Sequence, residues 1–196
     1  MTVWPPQISL ASGEISLVPL SHDHRDDLAE ASADGALHQL WYTTAPSPEG
    51  MAEDIDRRLD QERAGSMRPF TVFRNEQAVG MTTYMNIDAA NRRLEIGSTW
   101  YRASVQRTGL NTVCKRLLLG HAFETLDCIA VEFRTHAMNR QSRTAIERLG
   151  AKLDGILRSH MIMANGTLRD TAVYSVTAYD WPAVLANLDA FIEARP

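Results

Sequence analysis

The order of hydrophobic periods along the chain predicts an α/β protein, a mixed and mostly antiparallel sheet of about seven strands flanked by helices. Three observations carry that prediction. Period-2 and period-3.6 segments succeed one another as β-α-α-β-β-β-α-β-α-β-β-α, three extended runs lie consecutively between residues 69 and 101, and Asn165-Gly166 separates two more.

Ile8 to Pro19 reads as the first strand, and His22 to Ala33 as a helix turning Leu28, Ala29 and Ala33 inward. Tyr42 to Gly50, with Pro46, Pro48 and Gly50, reads as an exposed loop. Ser47-Pro48-Glu49 supplies a cap, a first-turn proline and an acid at the positive end of a second helix buried through Met51, Ile55 and Leu59. Pro69 to Arg74 and Ala78 to Asn86 are strands joined at Asn75-Glu76, and Arg92 to Tyr101 is their third neighbour. Thr112 to Leu126 is a helix with Val113, Leu117, Leu118, Phe123 and Leu126 inward and Lys115, Arg116 and Glu124 off that face. Cys128 to Phe133 is a short buried strand. Asn139 caps a helix that ends at Leu149-Gly150, Ile156 to Met163 and Leu168 to Thr177 form the Asn-Gly hairpin, and Asp180 opens a last amphipathic helix.

Composition narrows the function. The 196 residues suit one domain spanning 1–196, with 180–196 a helix packed on it. A net charge of -4 gives no basic face for nucleic acid. No apolar run approaches the roughly 20 residues of a membrane span, and Met1 to Leu20 lacks the pattern of a signal peptide, so a cytoplasmic location is expected. Cys114 and Cys128 lie in apolar stretches without metal-ligand spacing, which predicts buried thiols and no metal.

The chemistry concentrates between residues 94 and 112. Leu94 to Tyr101 is a strand that feeds a helix through Gln106-Arg107-Thr108-Gly109-Leu110-Asn111-Thr112. Such a junction aims free N–H groups and the positive end of a helix at one place, which holds phosphate; Gly109 admits close approach and Arg107 adds charge. The usual nucleotide cradles, Gly-x-x-x-x-Gly-Lys-Ser/Thr and Gly-x-Gly-x-x-Gly, are absent.

In this order of elements, Gln106-x-x-Gly109 followed by Asn139-x-x-Ser142 and Leu149-Gly150 resembles the GNAT acetyltransferase superfamily. The Glu95-Ile96-Gly97 strand and the Asn-x-x-Ser helix start look like the branch containing the ribosomal-protein N-terminal acetyltransferases. The resemblance covers Ile8 to about Thr177. Two positions depart from it: Asn111 stands where the family usually has glycine or alanine, and Ile146 where many relatives place a tyrosine that protonates the leaving thiolate.

The resemblance implies transfer of an acetyl group from acetyl-CoA to a primary amine, a protein N-terminus or a small molecule. The coenzyme would lie between splayed strands, its pantetheine arm beside Ser98, Thr99, Trp100 and Tyr101, with Asn139 and Ser142 in contact. An amine with a pKa near ~10.4 is mostly protonated at neutral pH, so a base helps, and Glu95 is the first candidate. Alternation puts Glu95 on the side of Gly97, Thr99 and Tyr101. Ser142 and Tyr174 are candidates for protonating the thiolate, with Asp170, His136 and His160 in reserve. Trp41 and Tyr42 are candidates for the acceptor pocket. The alternative is a non-catalytic acyl-CoA sensor or regulatory module, and pairing of two copies is left open.

Overall fold

The computed structural model describes residues 4–43 and 45–194; the ends of the predicted 1–196 span and position 44 of the proline-containing loop lie outside the described residues. The elements are β1 (Leu10–Ser12), β2 (Ile15–Pro19), α1 (Arg25–Ala33), α2 (Met51–Arg63), β3 (Met67–Arg74), β4 (Gln77–Asp88), β5 (Arg93–Tyr101), α3 (Leu110–Gly120), β6 (Ala130–His136), α4 (Arg140–Leu149), β7 (Lys152–Ile162), β8 (Leu168–Thr177) and α5 (Trp181–Glu193). The strands form one sheet in the order β1-β2-β3-β4-β5-β6-β8-β7, and only the β5–β6 junction is parallel. The mixed, mostly antiparallel sheet flanked by helices is thus present, with eight strands rather than seven. The extra strand arises because the first predicted strand folds back at Gly13, φ 56°, and places Leu10 opposite Leu17.

Other boundaries shift for local reasons. A 3-10 turn at His22–His24 precedes α1, where Leu28 sets the buried stripe and its i+3 and i+4 neighbours are Ala31 and Ser32; Ala33 is exposed. Ser47 Oγ accepts the Gly50 N–H at 3.1 Å, so Ser47 caps a turn and α2 begins only at Met51. The helix predicted to run to Leu126 is α-helical to Gly120 and continues as a π-helical turn, His121–Thr125. Among the described residues no helix is long and apolar enough to cross a membrane.

One face of the sheet is covered by α1 and α2, through Leu28, Met51 and Ile55 against Leu20, Met81 and Trp100. The other is covered by α3, α4 and α5, through Cys114, Leu118, Ile146, Leu149 and Leu188 against Tyr84, Leu94, Phe133 and Tyr174. Between them the sheet opens. Strands β5 and β6 pair only over Arg93–Glu95 with Ala130–Glu132, then diverge toward Tyr101 and His136.

The divergence coincides with a β-bulge. Gly97 pairs with Thr83 but Trp100 pairs with Met81, and Ser98 between them has φ 49°. A bulge bends its strand and resets the side-chain alternation. The expectation that Glu95 shares a face with Thr99 and Tyr101 is therefore corrected. Gly97 lies opposite Thr83, whose hydroxyl takes a hydrogen bond from Arg58 of α2, whereas Thr99 bonds to Lys115 of α3. Glu95 and Gly97 face the α2 side; Thr99 and Tyr101 face the α3 side.

Candidate active site

The opening leads into a cleft of about 530 Å³ lined by β5, β6, the loop before α3, and one face each of α3 and α4. At one mouth the chain takes left-handed backbone at Arg107 (φ 63°) and Gly109 (φ 93°), the latter capping α3. Gln106 Nε2 donates to the Tyr101 carbonyl at 3.0 Å and Thr108 Oγ1 to the Val105 carbonyl at 2.6 Å, which fixes the loop on its strand. The N–H groups of Leu110, Asn111 and Thr112 have no carbonyl one turn back, so the helix end is an anion site by construction. Asn111 is helical, so its tolerance of left-handed backbone is not called on. Arg107 lines this mouth together with Arg148, whose Nη2 donates to Thr112 Oγ1 at 3.1 Å.

On the α3 wall stands Lys115, predicted to lie off the buried face and found 5% exposed. Its Nζ donates to Thr99 Oγ1 at 2.8 Å and Thr82 Oγ1 at 3.3 Å, and no carboxylate lies within ion-pair distance of it among the described residues. Burial pulls its pKa down to about 8. An ammonium with only hydroxyls for company is poorly compensated, and Lys115 lines the cleft.

On the opposite face Glu95 is also 5% exposed. Its Oε2 accepts from Asn86 Nδ2 at 2.6 Å and lies 3.6 Å from Arg134 Nε. Oε1 leans over Gly97, close enough that a Cβ there would sit 2.7 Å from it. Burial raises the Glu95 pKa, against the Asn86 hydrogen bond and the Arg134 charge. Glu95 itself lines a second cavity with Asn86, Glu132 and Arg134, and Arg134 lines both this cavity and the main cleft.

The cleft gathers most of the residues singled out in the sequence. Ser98, Thr99, Trp100, Tyr101, Gln106, Arg107, Gly109, Asn111, Thr112, Asn139, Ser142 and Tyr42 line it, and Trp41 stands beside it with its ring edge-on to His136 at 5.1 Å. Asn139 caps α4, its Oδ1 accepting the Ser142 N–H at 3.0 Å. Thr108 and Leu110 point elsewhere, the first bonded to its own loop and the second into the core. Tyr174 is not brought to the cleft: its hydroxyl donates to Glu147 Oε1 at 2.6 Å and accepts from Arg143 Nε at 2.8 Å, on the α4 side. Lys115, Arg58, Arg148 and Arg169 were not singled out. For two of them a signal exists, because Lys115 shares a helical stripe with Leu118 and Leu119, and Arg58 with Met51 and Ile55.

Residues 14–152 match the family model of the acetyltransferase (GNAT) domain. YdaF of Bacillus subtilis strain 168, described as a candidate ribosomal N-acetyltransferase, is 32% identical over 102 residues, 52% of this chain and 55% of YdaF, so the match spans about half the length of that relative. A GCN5-related N-acetyltransferase from Brucella melitensis superposes with a TM-score of 0.86 at 28% identity, covering 96% of this chain and 86% of the other. RimJ of Mycobacterium smegmatis, solved in complex with CoA-disulfide, shares the fold with a TM-score of 0.80 at 21% identity, covering 100% of this chain and 99% of RimJ. With a family match across most of its length and a sheet that opens beside a phosphate-ready helix end, the chain belongs to the GNAT acetyltransferases, a family of acyltransferase enzymes.

Proposed function

We propose that the protein transfers an acetyl group from acetyl-CoA to a primary amine, a protein N-terminus or a small molecule, entering from the face of the sheet that carries Glu95. One observation carries the reading: where β5 and β6 part, the last paired residue of β5, Glu95, holds a carboxylate on one face of the sheet, and Lys115 holds an ammonium on the other. CoA bound by a protein of the same fold, RimJ, supports the choice of coenzyme. The free N–H groups at the start of α3, with Arg107 and Arg148, suit its phosphates, and Ser98 to Tyr101, Asn139 and Ser142 line the way for its arm.

Acetyl-CoA supplies a thioester, whose acyl carbon accepts the amine and whose sulfur departs as a thiolate. Glu95 removes the proton that the incoming amine must lose, directly or through one water, and its raised pKa brings it closer to the working pH of such a base. On the far side Lys115 presents N–H to the departing sulfur; a pKa of about 8 is matched to a thiol near ~8.5. This gives the proton-donor role an occupant where Ile146 stands in place of a tyrosine and Tyr174 is engaged by Arg143 and Glu147. Residues 1–196 act as one acetyltransferase domain in this reading, α5 being tied to α3 through Arg116 and Asp189 at 2.8 Å.

Thiol release from acetyl-CoA, followed across a panel of amines, tests the proposal. Turnover with at least one amine class is expected. Tight acetyl-CoA binding by calorimetry with no turnover would favour a non-catalytic sensor, and absence of binding would overturn both.

A further inference from the structure

The wall of the cleft on the Glu95 side carries hydrogen-bond donors that the protein leaves unspent. His136, the last residue of β6, is 3% exposed. Its Nδ1 accepts the backbone N–H of Met138 at 3.1 Å, which fixes the tautomer and puts the proton of the neutral ring on Nε2. Nε2 is buried and has no partner among the described residues, although the ring lines the cleft. Burying an N–H without an acceptor is costly, so a donor of this kind that lines a cleft calls for an acceptor from a ligand or a water.

Arg169, from β8, reaches the same wall. Thr171 pairs with His136 across β6 and β8, and Arg169, two residues away on the same face, donates its Nε to Thr171 Oγ1 at 3.0 Å. The guanidinium is half-buried, lines the cleft and has no carboxylate within ion-pair distance among the described residues. Its neighbours are all paired: Arg93 and Arg134 hold Glu132 at 2.6 and 2.8 Å, and Arg158 holds Asp170 at 2.6 Å. Arg93 and Arg134 border the neighbouring cavity with the carboxylates of Asp88, Glu95 and Glu132, whereas Arg169 holds none among the described residues. Trp41 stands edge-on to the His136 ring at 5.1 Å, and Tyr42 lines the cleft beside it.

We propose that Arg169 and His136 form a recognition site for a carboxylate on the acyl acceptor, so that the preferred substrates are amines that carry a carboxylate in the same molecule. The inference rests on the acetyltransferase reading above and deepens it by naming the substrate class. A guanidinium edge presents two parallel N–H groups, the shape a carboxylate accepts, and the Nε2–H of His136 supplies a further donor. A single unpaired guanidinium suits a monoanion better than a dianionic phosphate. The amine of the same molecule is then available to Glu95, whose charge Arg169 also feels. A free amino acid and a peptide with an acidic residue beside its N-terminus offer the same chemistry.

Initial rates of thiol release from acetyl-CoA, measured on matched pairs of amines, decide the matter. One arm compares free amino acids with their carboxamides, the other dipeptides with Asp or Asn after the N-terminal residue. The arm that shows the preference identifies the source. In the parent enzyme the carboxylate member is expected to have kcat/KM at least ten-fold higher, mostly through KM. Arg169→Gln should abolish that preference and Arg169→Lys, which keeps the charge but not the paired N–H geometry, should retain only part of it. Thermal melts of both variants establish that they fold. Equal turnover of both members by the parent enzyme, or a preference that survives in folded Arg169→Gln, overturns the inference while leaving the acetyltransferase reading intact. Failure of every amine in both arms while another amine class is turned over also overturns the inference; no turnover across the whole amine panel, with acetyl-CoA still bound, overturns the acetyltransferase reading instead.

Discussion

Arg58 Nη2 donates to Ser98 Oγ at 2.7 Å, joining a fully buried side chain of α2 to the one residue of β5 that steps out of register. The same guanidinium holds Thr83 Oγ1 at 3.0 Å and Asp54 Oδ2 at 2.6 Å, so it ties the bulge to both β4 and its own helix. The bulge in turn decides which residues look through the gap toward which face. A charge in the core thus sets the geometry of the cleft without lining it.

Replacing Arg58 with Met should therefore harm stability and coenzyme binding together. It takes from Asp54 one of its two guanidinium partners, Arg57 remaining, and leaves two hydroxyls without a donor, a loss of about 1–3 kcal/mol by urea titration. Arg58→Lys keeps the charge beside Asp54 but cannot reach three acceptors at fixed angles. It should cost less stability yet still weaken acetyl-CoA binding in calorimetry, because Ser98 is freed. Full affinity in a folded Arg58→Lys protein would refute the link between this arginine and the cleft.

Lys115 should show the opposite balance. At pH 7 it is charged in the native and unfolded states, and the native state bears the whole desolvation cost. From about pH 8, its native pKa, toward its ordinary value of 10.5, the unfolded chain still binds a proton that the native protein has released. This group's contribution to stability therefore rises with pH across that window. Lys115→Met removes the cost, and Thr82 and Thr99 still bond each other at 2.8 Å. The variant should be more stable than the parent at pH 7 by roughly 2–3 kcal/mol, the gain shrinking toward pH 10. It should also turn over roughly 10- to 100-fold more slowly at pH 7, the part a proton donor plays. Urea titrations at pH 7 and 9.5 with parallel rate measurements check both halves; a stabilised variant with undiminished rate would leave Lys115 without a catalytic part.

The sequence reading reaches some of this and not the rest, for identifiable reasons. Asn75-Glu76, both at positive φ, and Asn165-Gly166 mark their hairpins because the turns need backbone that few residues adopt; Gly150 marks the end of α4 in the same way, and Asn139 marks its start through a side-chain cap. Gly109 marks the start of α3, and with it the phosphate-ready loop. The bulge has no such marker, since a serine holds the left-handed position, bonded there by Arg58 from forty residues earlier. Alternation counted through Ser98 therefore assigns Thr99 and Tyr101 to the wrong face. Helical spacing puts Arg58 and Lys115 on the buried stripes of their helices, but the hydroxyls that hold them there come from strands far away in the chain. The unspent donors of His136 and Arg169 are equally invisible until β6 and β8 are paired.

Gly97 offers a test of how closely Glu95 is positioned. A Cβ there would lie 2.7 Å from Glu95 Oε1 and 2.9 Å from Met85 Sδ, both ends of flexible side chains and neither of them backbone. Gly97→Ala should fold with a loss of about 1–3 kcal/mol, the usual cost of overpacking. The carboxylate must yield, so kcat should fall about ten-fold or more while acetyl-CoA affinity changes little. Thermal melts and a KM-against-kcat comparison separate the two effects. A loss of stability with an unchanged kcat would show that the carboxylate need not sit where it does.

Glu95→Gln gives the sharpest reading of the base. The amide oxygen of glutamine can still accept from Asn86 Nδ2, so the neighbourhood survives while the proton-accepting carboxylate does not. At pH 7 kcat/KM should fall by roughly 10²- to 10⁴-fold, with acetyl-CoA binding within a factor of two of the parent. The pH profile adds an independent check. Because burial raises the Glu95 pKa, the parent should lose activity as pH falls through a value above the ordinary carboxylate range, and the limb should be absent from the variant. An amine that merely needs deprotonation by solvent would give the same limb in both proteins, its rate falling tenfold per pH unit. That outcome, or a Glu95→Gln enzyme as fast as the parent at pH 7, would move the proton to water and leave Glu95 a buried partner of Asn86 and Arg134.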